Sequence, residues 1–346
     1  ITAGIETTVC PPAWIDGLNR MDLNIVPAEF VKKTIKSSKF DKHDENTKQK
    51  IGSLQSEKPL EVLFEGVDLN IYKKTNKFSK ELVEQMETIE EDFCFLHVGH
   101  WLQGKLGEDR KDLGMLVKVF CETFKNQKNS PALVLKTSGA TPCIIDREDI
   151  LDKIENIKKQ VVGNLPNIYV LHGDLRDEEI NELYNHPKIK AHVSFTHGEG
   201  FGRPLLEATI SEKPVIASNW SGQTDFLTND SILLPGTLIN VGKDSLPKEF
   251  LLDESQWFQV NYQYASNVLK EIYKNYPKYV TKSKKQAIVN KTKFSLEKMT
   301  EKLDEILTKY LPKFEEQPQK VDLKLPKLKK IQKPKKVELP KLKKVN

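Results

Sequence analysis

The sequence is poor in cysteine and has neither a long apolar run nor a leader pattern. Four of its 346 residues are cysteine, Cys10, Cys94, Cys121 and Cys143. None forms a Cys-x-x-Cys pair, so neither a disulfide framework nor a zinc site is expected, and a reducing compartment fits best. No apolar stretch approaches the roughly 20 residues that span a bilayer. The expected place is therefore cytoplasmic, at most peripheral to a membrane. The first residue is Ile and no signal-peptide pattern is visible, so the chain reads as a fragment or a processed form. Nucleophile chemistry is also unsupported: there is no Ser-His-Asp arrangement and no nucleophile elbow. The apolar run Phe93 to Val98 is not followed by Gly-x-Gly-x-x-Gly, which removes the dinucleotide fingerprint. His97, His172, His192 and His197 lack ligand spacing and read as core or strand-end residues, so no metal is expected. His197 is the one to watch, because it adjoins Glu199.

Charged residues make up 30% and hydrophobic ones 38%, a globular composition, and the length allows two domains. The net charge of +5 is carried by the end of the chain. Residues 320–346 hold eleven lysines against Asp322 and Glu338, a net +9, so the remainder carries −4. Val321 to Lys330 is echoed by Val337 to Lys344. Lysine and proline at that density oppose a packed core, and residues 313–346 are expected to be a disordered tail able to meet an anionic surface. No aromatic residue interleaves the lysines, so base stacking is not indicated.

From Asp92 onward, strand-like and helix-like patterns alternate. Phe93 to Val98, Ala132 to Leu135, Ile168 to Leu171, Ala191 to Phe195 and Val215 to Ala217 read as strands. Leu113 to Phe124, Ile150 to Lys159, Asp177 to Tyr184 and Pro204 to Ile210 read as helices between them. This predicts an α/β fold, a Rossmann-like parallel sheet with helices on both faces, which binds ligands beyond the carboxyl ends of its strands. Before it, Pro12 to Asn19 and Ala28 to Lys33 read as helical, Asp22 to Pro27 as a strand, 40–58 as helix or loop, and Leu60 to Asp68 as a strand ending in a turn. After it, 262–276 and 295–309 read as helices.

The most informative segment is His197-Gly198-Glu199-Gly200-Phe201-Gly202-Arg203-Pro204-Leu205-Leu206-Glu207-Ala208. Two carboxylates are separated by seven residues that include glycines and a proline, after a strand and at the start of a helix. Glycine permits close backbone approach, proline suits the first helical turn, and the free amides there favour an anion. This segment resembles the Glu, seven residues, Glu signature of the retaining glycosyltransferases of group 1 (family 4), which have the GT-B fold.

The resemblance implies that the chain holds the C-terminal half of such a fold. Residues 1–75 would end an acceptor-side domain and 76–262 form the nucleotide-sugar domain. Residues 263–312 would be closing helices that pack back across the junction, which Gly66-Val67-Asp68 marks. Glu199 would contact donor-sugar hydroxyls and Glu207 the ribose. A carboxylate can accept two bonds from a vicinal diol. The amides of Gly200, Phe201 and Gly202, with Arg203, Arg110 and Lys111, would receive the diphosphate, beside Gly99 at the strand end. Gly173-Asp174-Leu175 would meet the base, with Leu175 as its contact. The family's arginine directly after the strand glycine is absent; His100 stands there, and Arg110 or Lys105 would replace it. Lys136 and Asp225 are weaker candidates, the former reading best as a plain strand-end lysine. The implied activity is sugar transfer from a nucleotide-diphosphate sugar to a glycan, lipid or protein acceptor with retention of configuration, without cofactor or metal. With most of the acceptor-side domain absent, this chain alone is expected to bind donor but to transfer weakly or not at all. A non-catalytic nucleotide-binding or scaffold protein tethered by its basic tail is the alternative.

Overall fold

The computed structural model describes residues 5–312 apart from 45, 140, 244 and 246–251. The lysine-rich tail expected from residue 313 lies outside the described residues. The chain up to Tyr310 packs as one unit.

The first part is a small parallel pair with helices around it. Helix α1 (Pro12–Asn19) starts at a proline and buries Ile15 and Leu18. Strand β1 (Asn24–Val26) precedes helix α2 (Glu29–Ser37), whose buried Val31, Thr34 and Ile35 fall at helical spacing. Residues 40–58, expected as helix or loop, contain instead an antiparallel hairpin of β2 (Phe40–His43) and β3 (Lys50–Leu54). The Asp44 carboxylate nucleates its turn, accepting from the Asn46 and Thr47 amides. Strand β4 (Leu60–Val62) pairs parallel with β1.

After helix α3 (Lys80–Glu87) comes the main sheet. Its units are β5 (Cys94–Val98), α4 (Leu113–Phe124), β6 (Ala132–Lys136), α5 (Ile144–Lys158), β7 (Ile168–Leu171) and α6 (Asp177–Asn185). They continue through β8 (Ile189–Ser194), α7 (Arg203–Ile210), β9 (Val215–Ser218) and β10 (Ile232–Leu234). The order is β10-β9-β8-β5-β6-β7, all parallel. Successive side chains on a strand point to opposite faces. Accordingly Cys94, Leu96 and Val134 join the core containing Leu82, Leu183 and Leu205, whereas Phe95, Leu133 and Leu135 join the core with Leu113, Ile150 and Leu269. The sheet is thus flanked by helices on both faces. The chain winds outward from β5 through β6 to β7, then returns to place β8 on the other side of β5. The loops after β5 and β8 therefore diverge at a topological switch point, where such sheets open a crevice.

An antiparallel pair, β11 (Gly236–Asn240) and β12 (Gln256–Val260), follows. Helix α8 (Tyr262–Lys293) extends beyond the expected 276 because it bends rather than stops at its proline. Asn275 leaves helical geometry (φ −122°, ψ 34°) just before Pro277, which has no amide hydrogen to donate. Helix α9 (Leu296–Tyr310) then returns to the first part of the chain. Val67 donates to the Phe294 carbonyl and accepts from the Leu296 amide, and Lys309 and Tyr310 both bond Glu61.

Candidate functional site

The β8–α7 loop is held by backbone geometry before any charge is considered. Gly202, the residue before α7, is left-handed (φ 99°, ψ 47°), a conformation that disfavours a side chain. Gly198 lies so close to the N-terminal segment that a Cβ there would stand 2.3 Å from the Glu6 carbonyl oxygen. On the other side Ser221 accepts the Glu199 amide at 2.9 Å, and the Gly222 amide donates to the Glu199 carbonyl at 3.0 Å. His197 packs the base of the loop. Its ring stacks on Trp257 at 4.4 Å, and its nitrogens face the carbonyls of Phe258 and Gly107 at 2.7 and 3.1 Å. It packs as a buried prop beneath the loop.

The β5–α4 loop supplies the cations. Asp109 accepts from the Leu113 and Gly114 amides, capping α4 from within the loop. That places Arg110 and Lys111 just ahead of the helix and against the β8 loop, where Arg110 accepts the His197 amide. Lys111 Nζ reaches Glu199 Oε1 at 2.5 Å. Arg110 Nη1 donates to the Gly198 carbonyl at 3.2 Å and lies 3.5 Å from Glu199 Oε2. Gly99 sits beneath this pair: a Cβ there would lie 3.6 Å from Lys111 Cε and 3.0 Å from the His97 ring. Burial would raise the Glu199 pKa, but Lys111 and Arg110 outweigh it and hold the carboxyl at about 2. Glu199 is therefore an ionised acceptor at neutral pH.

Glu207 lies one helical turn inside α7. It is 6% exposed and bonded to Arg203 Nε at 2.7 Å, while Arg203 is half-exposed. Burial raises its pKa against the pull of Arg203 and Tyr72. Glu65 is raised by burial too, with Arg203 and Glu199 acting on it in opposite senses.

The structure thus gathers Gly99, Arg110, Lys111, Glu199 and Gly200 at one point, and Arg203 and Glu207 on the adjoining helix. Leu175 stands elsewhere. It lines a recess of about 330 Å³ with Lys136, Arg147, Leu171, His172 and Glu179, at the ends of β6 and β7. Lys136 is turned onto the Gly173 carbonyl at 2.7 Å, and His172 onto Asp146 at 2.6 Å. Asp225 accepts the Glu29 amide at 2.8 Å, capping α2 from a distant loop. His97 and His192 stack in the core. Among the described residues no group of three or more His, Cys, Asp or Glu could hold a metal ion, and no helix is long and apolar enough to cross a membrane.

Sequence reasoning missed Glu6, Glu65 and Tyr72. Glu6 Oε1 lies 2.8 Å from Arg110 Nη1. No local pattern surrounds these three residues, and each enters the site only through the packing of the first 75 residues against the sheet.

Residues 111–249 match the family model described as Glycosyl transferases group 1. The fold is shared with solved structures. HepE from Anabaena, in complex with UDP and glucose, is 15% identical at a TM-score of 0.58, covering 86% of this chain and 66% of its own. Sucrose-phosphate synthase from Thermosynechococcus elongatus is 14% identical at 0.58, covering 86% and 60%. A glycosyltransferase from Rickettsia africae is 17% identical at 0.58, covering 90% and 70%. No curated protein matches the chain in sequence. The chain spans 60 to 66% of the length of the first two structures. The family match covers residues 111–249, and the solved structures share the GT-B fold.

Proposed function

We propose that this chain is the donor-binding part of a retaining, family 4 glycosyltransferase that moves a sugar, of the hexosyl type, from a nucleoside-diphosphate donor to an acceptor hydroxyl. The observation that carries the reading is the ionised Glu199, fixed by Lys111 at the switch point of the sheet. Glu199 accepts hydrogen bonds from hydroxyls of the donor sugar, and Glu207 from the ribose. Leu175 and its recess take the base. When the sugar–phosphate bond breaks, its electron pair stays on the diphosphate oxygen. Arg110, Lys111 and the amides of Gly200, Phe201 and Gly202 receive that charge. Fixed donors aimed at developing charge cost no reorganisation during the step. The acceptor hydroxyl oxygen forms the new bond to the anomeric carbon, and its proton passes to the departing diphosphate oxygen. Protein cations, with no metal, carry the charge in this proposal. HepE is described with UDP and glucose bound, which supports a nucleotide-sugar donor here.

The test is titration of UDP, GDP and ADP against the wild type and Glu207→Ala. One nucleotide should bind, and binding should weaken at least tenfold without Glu207; failure of all three to bind sinks the reading. The anomeric proton of any product distinguishes retention from inversion.

A further inference from the structure

The N-terminal segment sends one side chain into this site, and it is an acid. Ile5 is buried, and Thr8 is tied to Gln256 by two bonds, from its own amide at 2.9 Å and to its hydroxyl at 3.0 Å. Between these anchors the Glu6 backbone lies against Gly198. Its carboxylate forms an ion pair with Arg110 at 2.8 Å and feels the Gly200 amide. These are the groups assigned above to the diphosphate.

We infer that Glu6 is an internal stand-in for the diphosphate of the donor, occupying the anion position made by Arg110 and the Gly200 amide, and that a donor must displace it to bind. The inference rests on the donor-site reading. The charge balance supports it. Arg110 and Lys111 are matched by Glu6 and Glu199, so an arriving diphosphate would meet a site already neutral and stand beside a carboxylate. Like charges placed together at an interface oppose binding strongly. Glu6 can leave without dismantling the site. Arg110 keeps the Gly198 carbonyl and Glu199 as partners. The Glu6 side chain is 28% exposed, against 16% for Arg110, so it has an open side to turn toward while its backbone stays docked. Burial also raises the Glu6 pKa against the pull of Arg110, so its charged form is disfavoured where it sits.

The experiment is calorimetric titration of UDP, GDP and ADP, and of the matching nucleosides, against the wild type, E6Q, E6A, R110A and E6Q/R110A. E6Q and E6A are expected to bind the preferred nucleoside diphosphate about tenfold more tightly, a factor that corresponds to one pKa unit of interaction. The nucleoside should show no gain, and R110A should abolish the gain. Weaker binding by E6Q and E6A would mean that Glu6 props Arg110 in place, and overturns the inference. Unchanged affinity, or an equal gain for the nucleoside, overturns it while leaving the donor-site reading intact. No nucleotide binding by any of the proteins overturns both.

Discussion

Lys111 Nζ lies 2.5 Å from Glu199 Oε1, with the two side chains 10% and 8% exposed. A pair this buried contributes little net stability when intact, because desolvation offsets the attraction, but losing one partner strands the other. Glu199→Gln is therefore expected to destabilise the protein by about 3–5 kcal/mol. Glu207→Gln leaves behind an Arg203 that is already half in solvent. Its loss should be nearer 1 kcal/mol. Urea unfolding of the two variants compares them directly, and equal losses would contradict this account of the site.

The pH dependence divides into two windows. His97 is buried with its Nδ1–H donating to the Val193 carbonyl, and burial lowers its pKa from the usual 6.5 to about 4. A depressed folded pKa means that the unfolded chain binds the proton more readily. His97 thus contributes stability above pH 6.5 that is lost as pH falls toward 4, about 3 kcal/mol in all. Glu199 is likewise depressed, from 4.5 to about 2, so its share persists to about pH 4.5 and is lost below. The urea midpoint should fall first between pH 6.5 and 4, and His97→Gln should make that limb shallower without removing it, because His186, His192 and His197 are lowered as well. A slope unchanged by the substitution would assign the loss to other groups.

The strand, loop and helix around Glu199 are legible in sequence because three local signals agree. An apolar run ends at Thr196, glycines follow, and Pro204 opens a helical pattern. The helical spacing of Leu113 to Phe124 and the apolar run Ile168 to Leu171 coincide with α4 and β7. The β2–β3 hairpin was not legible, since nearly all its side chains are in solvent and no hydrophobic period marks it. The length of helix α8 is not legible either, because Pro277 interrupts it locally while packing on α4 and α7 is non-local. Arg110, Lys111 and Glu199 can be named singly from sequence, but not Glu6 or its pairing with Arg110, which depends on a segment from the far end of the chain.

Asp225 caps a helix to which it has no sequence proximity. The residue before α2 is Ala28, which cannot cap, and Asp225 takes the Glu29 amide instead. Asp225→Ala is expected to cost about 1 kcal/mol, the usual loss of a cap. Asp225→Asn keeps an acceptor and should lose only a few tenths. Thermal denaturation of both variants checks this; similar losses would show that charge, not the hydrogen bond, is what matters at this contact.

Gly66 bears on how α9 meets the first part of the chain. A Cβ at this position would fall 2.7 Å from both the Leu296 Cα and the Ser295 carbonyl oxygen. These are backbone atoms, so no rotamer change can clear them. The Val67 bonds to Phe294 and Leu296 depend on that approach. Gly66→Ala is therefore expected to loosen α9 while the six-stranded sheet stays folded. Overpacking of this kind typically costs about 1–3 kcal/mol. Hydrogen exchange should quicken in 296–310 and around Val67, and remain slow in β5 and β8. Uniformly faster exchange would instead mean that α9 and the sheet unfold as one cooperative unit.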